Sequence, residues 1–198
     1  MTDLRYEKED LETAVRVMKE GGIILYPTDT VWGIGCDAAN EEAVRKIFAL
    51  KRREDSKSML CLLEGAGKLQ GYVDVPDAAW QLLDATAPEE GLDQRPLTII
   101  YPHARNVASS LIAEDGSIGI RITDEPFSKA LCERLHHPVV STSANISGEK
   151  TARMFCEISP EIKNGVDYIC RFRRNDNTPH KPSGIIKVGP NNEIEIIR

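Results

Sequence analysis

Four short polar clusters carry the side chains of this chain that could do chemistry. They are Thr28-Asp29-Thr30, Lys51-Arg52-Arg53 with Lys57, Ser141-Thr142-Ser143-Ala144-Asn145, and Lys181-Pro182-Ser183, and each follows or interrupts a strand-like apolar run. Together they offer cations, hydroxyls and an amide, and almost no general base. Phosphoryl or nucleotidyl transfer uses such an inventory, with positive groups around the moving oxygens, donors that fix geometry, and a nucleophile brought by the substrate. A covalent serine mechanism fits poorly, because no G-x-S-x-G surrounds Ser143 and no motif ties His136 or His137 to it. The chain also lacks G-x-x-x-x-G-K-[ST], G-x-G-x-x-G and the kinase signatures. Adjacent histidines point apart on a helix, so His136-His137 reads as a helix end before Pro138 and not as a metal site. Asp29 has two readings: a carboxylate that orients an ammonium or helps to hold Mg2+, or one that caps its own turn.

The elements that must position these clusters can be read in chain order. Leu11, Ala14, Val15 and Met18 recur at helical spacing, so Glu9 to Glu20 is predicted to be an amphipathic helix ended by Gly21 and Gly22. Ile23 to Tyr26 is a short strand that opens at Pro27 into the Thr28-Asp29-Thr30 turn, and Gly33 and Gly35 free the backbone beyond it. Open α/β sheets hold small ligands at such strand ends. Asn40 stands as an N-cap for a second helix with Ala43, Ile47 and Leu50 along one face, which delivers Lys51, Arg52 and Arg53 at its C-terminus. Cations there also complement the helix dipole. Met59 to Leu63, Leu97 to Tyr101, Ser117 to Ile122, Val139 to Ser141, Tyr168 to Phe172, Gly184 to Val188 and Glu193 to Ile197 read as strands. Ala78 to Leu83, Val107 to Ile112 and the stretch around Phe127 to Leu135 read as helical, with a weak helical turn after Glu157. GAGKLQGY reads as a loop, and the acidic ATAPEEGLDQRP segment as a mobile one. This alternation predicts an α/β fold, and the hairpin-like pairing near the C-terminus makes the sheet mixed.

The totals bound the partners. A chain of 198 residues with 41% apolar and 28% charged residues can bury one sizeable core and is expected to form a single domain over residues 1–198. No stretch approaches 18 apolar residues and the MTDLRYEKED start is acidic, so a cytoplasmic protein without membrane contact is expected. Five widely spaced cysteines with no C-x-x-C argue for buried thiols and against a disulfide framework or structural zinc. The net charge of −6 disfavours a general nucleic-acid coat. Against it stand two basic islands, KRREDSK at Lys51 to Lys57 and RFRRNDNTPHK at Arg171 to Lys181, which read either as a focused anion site or as solvated surface.

The motifs in order resemble those of the YrdC/Sua5 family, the threonylcarbamoyl-AMP synthases of tRNA modification. They are GGIILYPTDTVWGIGCDA for the PT-[DE]-T turn, Lys51 and Arg53 for K-x-R with Lys57 after it, RPLTII, IGIRI around Arg121, STSANISG for S-x-N at Ser143 and Asn145, and KPSGII. The resemblance spans nearly the whole chain. It implies a YrdC-like twisted open mixed sheet flanked by helices, with a concave basic cleft. It also implies ATP held by Lys51, Arg53, Lys57, Arg121, Ser141, Ser143, Asn145 and Ser183, with catalysis by Lys51, Arg53, Ser143 and Asn145. L-threonine would lie against Thr28, Thr30, Trp32 and Arg121. L-threonine and bicarbonate would be co-substrates, Mg2+ would travel with ATP rather than occupy a protein metal site, and tRNA or tRNA-modification proteins would be transient partners, with the oligomeric state left open. The family's longer members carry a further C-terminal domain, whereas this chain ends near the catalytic domain's limit.

The departures concern the site. Trp32 replaces a tyrosine, DQRPLT lacks F-W-P-G, Thr123-Asp124-Glu125-Pro126 replaces P-x-H-P, Gly184 replaces a threonine and Ser58 a proline. Two alternatives therefore stay open: a nucleotide-binding paralogue without this activity, and an RNA-binding module for tRNA or double-stranded RNA. The latter is opposed by the negative charge and the absence of RNP or KH patterns.

Overall fold

The computed structural model describes residues 6–52, 59–86, 96–176, 178 and 182–198. Among the described residues five helices, α1 (Lys8–Lys19), α2 (Glu41–Lys51), α3 (Asp77–Ala85), α4 (Pro126–Leu135) and α5 (Pro160–Gly165), flank nine strands. The strands are β1 (Ile24–Tyr26), β2 (Gly33–Gly35), β3 (Leu60–Leu63), β4 (Leu97–Tyr101), β5 (Ile118–Ile122), β6 (Val139–Ser143), β7 (Tyr168–Ile169), β8 (Gly184–Val188) and β9 (Ile194–Ile196). They form one sheet in the order β7-β1-β2-β6-β3-β5-β4-β8-β9. It is mixed: β1/β7, β3/β5 and β4/β8 run parallel and the remaining neighbours antiparallel.

Local chemistry sets the helix limits. Asn40 caps α2 by accepting from the Ala43 amide at 3.0 Å, and Arg52 ends the helix in the left-handed region at φ 50°. Glu125 caps α4 through the Ser128 amide, Pro126 occupies the first turn, and His136 closes the helix at φ 63°, so the histidine pair is a helix end as its sequence context predicts. Among the described residues no helix is long and apolar enough to cross a membrane.

Strand alternation divides the sheet into two unlike faces. Leu25, Ile34, Cys61, Leu63, Ile99, Tyr101, Ile118, Ile120 and Val140 point to one face and build the larger core with α2 and α3. On the other face Ile24, Tyr26, Leu62 and Val139 are covered by α1 and α4. The rest of that face stays open. The pairings Gly33↔Ser143, Leu60↔Ser141, Leu62↔Arg121 and Ile100↔Gly119 show that Gly33, Ser143, Ser141, Leu60, Arg121, Gly119 and Ile100 share it. The same parity thus buries one set of residues and lays the other out as the floor of a cleft.

Gly35 on β2 marks the tightest approach in this arrangement. A Cβ there would lie 2.5 Å from the Val140 carbonyl and 2.6 Å from the Tyr26 ring, whose hydroxyl donates to that carbonyl at 3.1 Å. Gly35→Ala should therefore lower stability by about 1–3 kcal/mol, roughly 2–4 °C in Tm per kcal/mol for a domain of this size. Gly119→Ala, whose added carbon meets nothing closer than 3.5 Å, should leave Tm unchanged in the same thermal scan.

Several elements differ from the sequence reading. β2 is a strand of Gly-Ile-Gly, too short to carry an apolar pattern, and its pairing with β1 and β6 makes it one. The segment predicted as a strand from Tyr168 to Phe172 pairs over two residues only, because the Asp10 carboxylate takes the amides of Arg171 and Phe172. GAGKLQGY contains a 3-10 turn over Ala66–Gly71, and Val107 to Ile112 only a short one over Ser109–Leu111. Of the loop predicted to be mobile, residues 87–95 lie outside the described residues. Four cysteines are buried, with Cys61 pushed up to about 12 by desolvation, but Cys156 is exposed on a 3-10 turn.

Candidate active site

The open part of the sheet face is the floor of a cleft of about 780 Å³. Thr30, Arg121, Ser141, Ser143 and Ser183 all line it, so the structure brings together predicted residues from three of the four clusters. Ser183 is fixed by an Oγ to Oγ contact of 2.9 Å with Thr98, a floor residue that the sequence reading did not single out. Its signal was present: a lone polar residue in the strand Leu97–Tyr101, on the opposite parity from Ile99 and Tyr101. Arg198 and Lys187 also line the cleft and were not predicted.

Arg121 is the electrostatic centre of the floor. Its side chain is 3% exposed, and one terminal nitrogen lies 2.8 Å from Asp29 Oδ1 and 3.3 Å from Thr30 Oγ1. The approach to Asp29 is an ion pair without an aligned hydrogen bond, since Oδ1 accepts none, and Nε of Arg121 has no partner. Burial raises the Asp29 carboxyl above its ordinary range and the arginine partly offsets this. A buried guanidinium at the lining of a cleft is suited to an anion.

Asp29 forms an ion pair with Arg121, a partner that neither sequence reading named. The turn around it is tied internally: Thr28 Oγ1 donates to the Val31 carbonyl at 2.7 Å, accepts from the Thr30 amide at 3.0 Å and lies 3.1 Å from Thr30 Oγ1. Thr28 thus stands behind Thr30 rather than on the cleft surface, because its hydroxyl is occupied in shaping the turn.

Lys51 is buried at the end of α2, and its ammonium donates to the carbonyls of Ser143 at 2.5 Å and Asn145 at 2.6 Å. Its own carbonyl accepts from the Ser147 amide at 2.9 Å. The lysine therefore clamps the turn that follows β6. Asn145 lies in that turn, its amide donating to the carbonyls of Ile146 and Glu149 while its Oδ1, buried, has no partner. Trp32, open to a place against a substrate or in the core, takes the core: it is one residue off the parity of Gly33, so it enters the larger core and packs on Phe155 at 4.8 Å between ring centres. Arg53, Lys57 and Lys181 lie outside the described residues.

Arg53 and Lys57 are thus the residues expected to make the cleft basic. Without them its charged lining among the described residues is Arg121, Lys187 and Arg198 against Glu114, Asp115 and Glu195. Lys187 pairs with Asp115, whose carboxyl its hydrogen bond and those of Ser117 hold down at about 2. No group of three His, Cys, Asp or Glu among the described residues is placed to hold a metal ion.

Residues 16–198 match the Sua5/YciO/YrdC family profile, described as telomere recombination. The chain belongs to this family. A threonylcarbamoyl-AMP synthase of Pseudoalteromonas translucida is 32% identical over 179 residues, covering 90% of this chain and 93% of that protein. In structure the chain is similar to E. coli YciO, with a TM-score of 0.81 and 24% identity over 97% of this chain and 89% of the other. It is also similar to P. abyssi Sua5 complexed with L-threonine, with a TM-score of 0.79 and 22% identity over 93% of this chain. It spans 52% of that protein's length. These likenesses confirm the twisted mixed α/β sheet that the motifs implied.

Proposed function

We propose that this protein is an L-threonylcarbamoyladenylate synthase, joining L-threonine, bicarbonate and ATP and releasing pyrophosphate, for modification of adenosine 37 in tRNA. The observation that carries the reading is the cleft floor, where a buried guanidinium stands among the hydroxyls of Thr30, Ser141, Ser143, Thr98 and Ser183, with no histidine among the described lining residues. The related synthase is similar over nearly its whole length.

The reaction suits this inventory. The amino group of threonine, once deprotonated, captures CO₂ formed from bicarbonate with loss of water, and the resulting N-carboxylate attacks the α-phosphate of ATP while pyrophosphate departs. The substrate supplies the nucleophile, so the protein's tasks are to hold two anions together and to stabilise charge as the phosphate bond breaks. In this assignment Thr30 and Arg121 face the amino acid, Ser141, Ser143 and Ser183 donate to the nucleotide, and Asn145 is placed by Lys51 at the margin. Arg53 and Lys57 complete the phosphate site. The donor set fits Mg2+ that arrives with the ATP phosphates and not a resident ion, because hard cations of this size want several oxygen ligands in near-octahedral array. Transient contact with tRNA or with modification proteins follows from the same reading.

The test is incubation with ATP, bicarbonate, Mg2+ and a panel of amino acids, reading pyrophosphate and the mass of the adenylate. Threonine-dependent pyrophosphate with threonylcarbamoyl-AMP is the expected result. ATP binding without it would identify the nucleotide-binding paralogue instead.

A further inference from the structure

The basic island at Arg171 to Lys181, which reads as an anion site or as solvated surface, has three arginines engaged by the protein itself: Arg171 on the surface, Arg173 and Arg174 partly buried. Arg171 lies 3.3 Å from Glu9 and 3.5 Å from Glu7. Arg174 donates to the Cys170 carbonyl at 2.7 Å and stands over the Phe155 ring. Arg173 reaches the cleft turn. Its Nη1 donates to the Thr28 carbonyl at 2.9 Å, while Nε and Nη2 hold Asp176 Oδ2 at 3.1 and 3.0 Å.

A second clamp acts one residue earlier. Ser128 Oγ on α4 donates to the Pro27 carbonyl at 2.8 Å, and Glu125, whose Oε2 accepts from the Ser128 amide at 2.7 Å, has its other oxygen 3.9 Å from Arg173. Residues 27–32 have no helix or strand of their own, so their carbonyls must find partners elsewhere. Two consecutive carbonyls find them in side chains about a hundred and a hundred and forty-five residues away. The segment that carries Arg173 is itself anchored, because buried Asp10 on α1 accepts the Arg171 and Phe172 amides and the Tyr168 hydroxyl. From Thr28 the chain of contacts continues through Thr30 to Arg121.

We propose that Arg173 is a positioning residue for the reaction: it fixes Thr28 and, through Thr28, the placement of Thr30 and Arg121 at the amino-acid end of the cleft. This rests on the assignment of that end to the amino acid. The guanidinium fork matters because one planar group must serve Thr28 and Asp176 at once, which an ammonium cannot reproduce.

The experiment compares KM for threonine, KM for ATP and Tm in wild type and in Arg173→Ala, Arg173→Lys, Ser128→Ala, Thr30→Ala and Arg171→Ala. Arg173→Ala should raise the threonine KM about tenfold, as expected for one lost charge-assisted hydrogen bond, with the ATP KM within about twofold. Arg173→Lys should fall between, Ser128→Ala should raise the same constant less, and Arg171→Ala should leave both constants unchanged. If Arg173→Ala does not fold, the lysine and serine variants carry the test. A threonine KM that rises in Thr30→Ala but not in the Arg173 or Ser128 variants overturns the positioning role and spares the site assignment. No rise in Thr30→Ala overturns the assignment and the proposal with it. Rises in both constants that follow Tm alone, with no partial rescue by lysine, would show Arg173 to be merely structural and overturn the proposal.

Discussion

Arg121→Ala should abolish measurable synthesis and lower Tm, and the stability loss should shrink as the pH falls. The first effect follows from removing the buried cation of the cleft floor, where a preorganised charge is worth roughly 10²–10³ in turnover. The second follows from the partner left behind: Asp29 is 15% exposed and its carboxylate faces Arg121 at 2.8 Å. Breaking a buried pair from one side costs about 3–5 kcal/mol, because the remaining charge is uncompensated. The pH dependence has a definite sign. Burial already raises the Asp29 carboxyl and Arg121 is the main influence lowering it, so the variant's Asp29 titrates higher still. A group whose folded value exceeds its unfolded one binds its proton in the native state first, and stability falls as pH rises through that window. Thermal scans from pH 7 down toward pH 5 should therefore show the gap between variant and wild type narrowing. Adding Asp29→Asn to Arg121→Ala should restore Tm without restoring synthesis. A gap that stays constant with pH would mean that Asp29 is not the source of the instability.

What the sequence made legible follows the range of the interactions. β4 and β8 were readable to their end residues, because apolar runs bounded by Pro96 and by Pro182-Ser183 need no partner to be recognised. The α4 end at His136 and the α2 cap at Asn40 were readable for the same reason, since caps are local. β2 was not, because three residues become a strand only between β1 and β6. The site was legible as a list and not as a geometry. Arg121, Ser141 and Ser143 converge because β5 and β6 put them on one parity of one sheet, Thr30 joins them from the turn after β1 and Ser183 from the residue before β8, and Trp32 stays away because it sits one residue off the parity of Gly33. The arginine island was visible as charge, but the contacts of Arg173 with Thr28 and Glu125 depend on how α1 anchors the chain after β7. Motif spacing records that residues recur, while register decides which way each one points.

Lys51→Ala should reduce turnover by roughly 10² to 10³, and the structure changes the reason expected for it. The ammonium is fully buried and donates to the carbonyls of Ser143 and Asn145, residues 92 and 94 positions away, so its charge is fixed at the turn that follows β6. Removing it leaves two partly buried acceptors to be satisfied otherwise, at up to about 1–3 kcal/mol each, and frees the segment that carries Asn145. Lys51→Arg should not rescue, since a planar fork cannot enter a space shaped for a compact ammonium between two carbonyls. The double variant separates the two ways in which the lysine could act. If Lys51 works by holding the turn, Asn145→Ala on top of Lys51→Ala should add little, because the amide is already misplaced. If the lysine stabilises the phosphates independently, the two losses should multiply. The clamp predicts strong non-additivity, read from kcat/KM for ATP in the four proteins of the cycle, with circular dichroism to verify the fold. Multiplicative losses would return Lys51 to an independent role at the nucleotide, and a Lys51→Ala enzyme working at full rate would remove it from the site altogether.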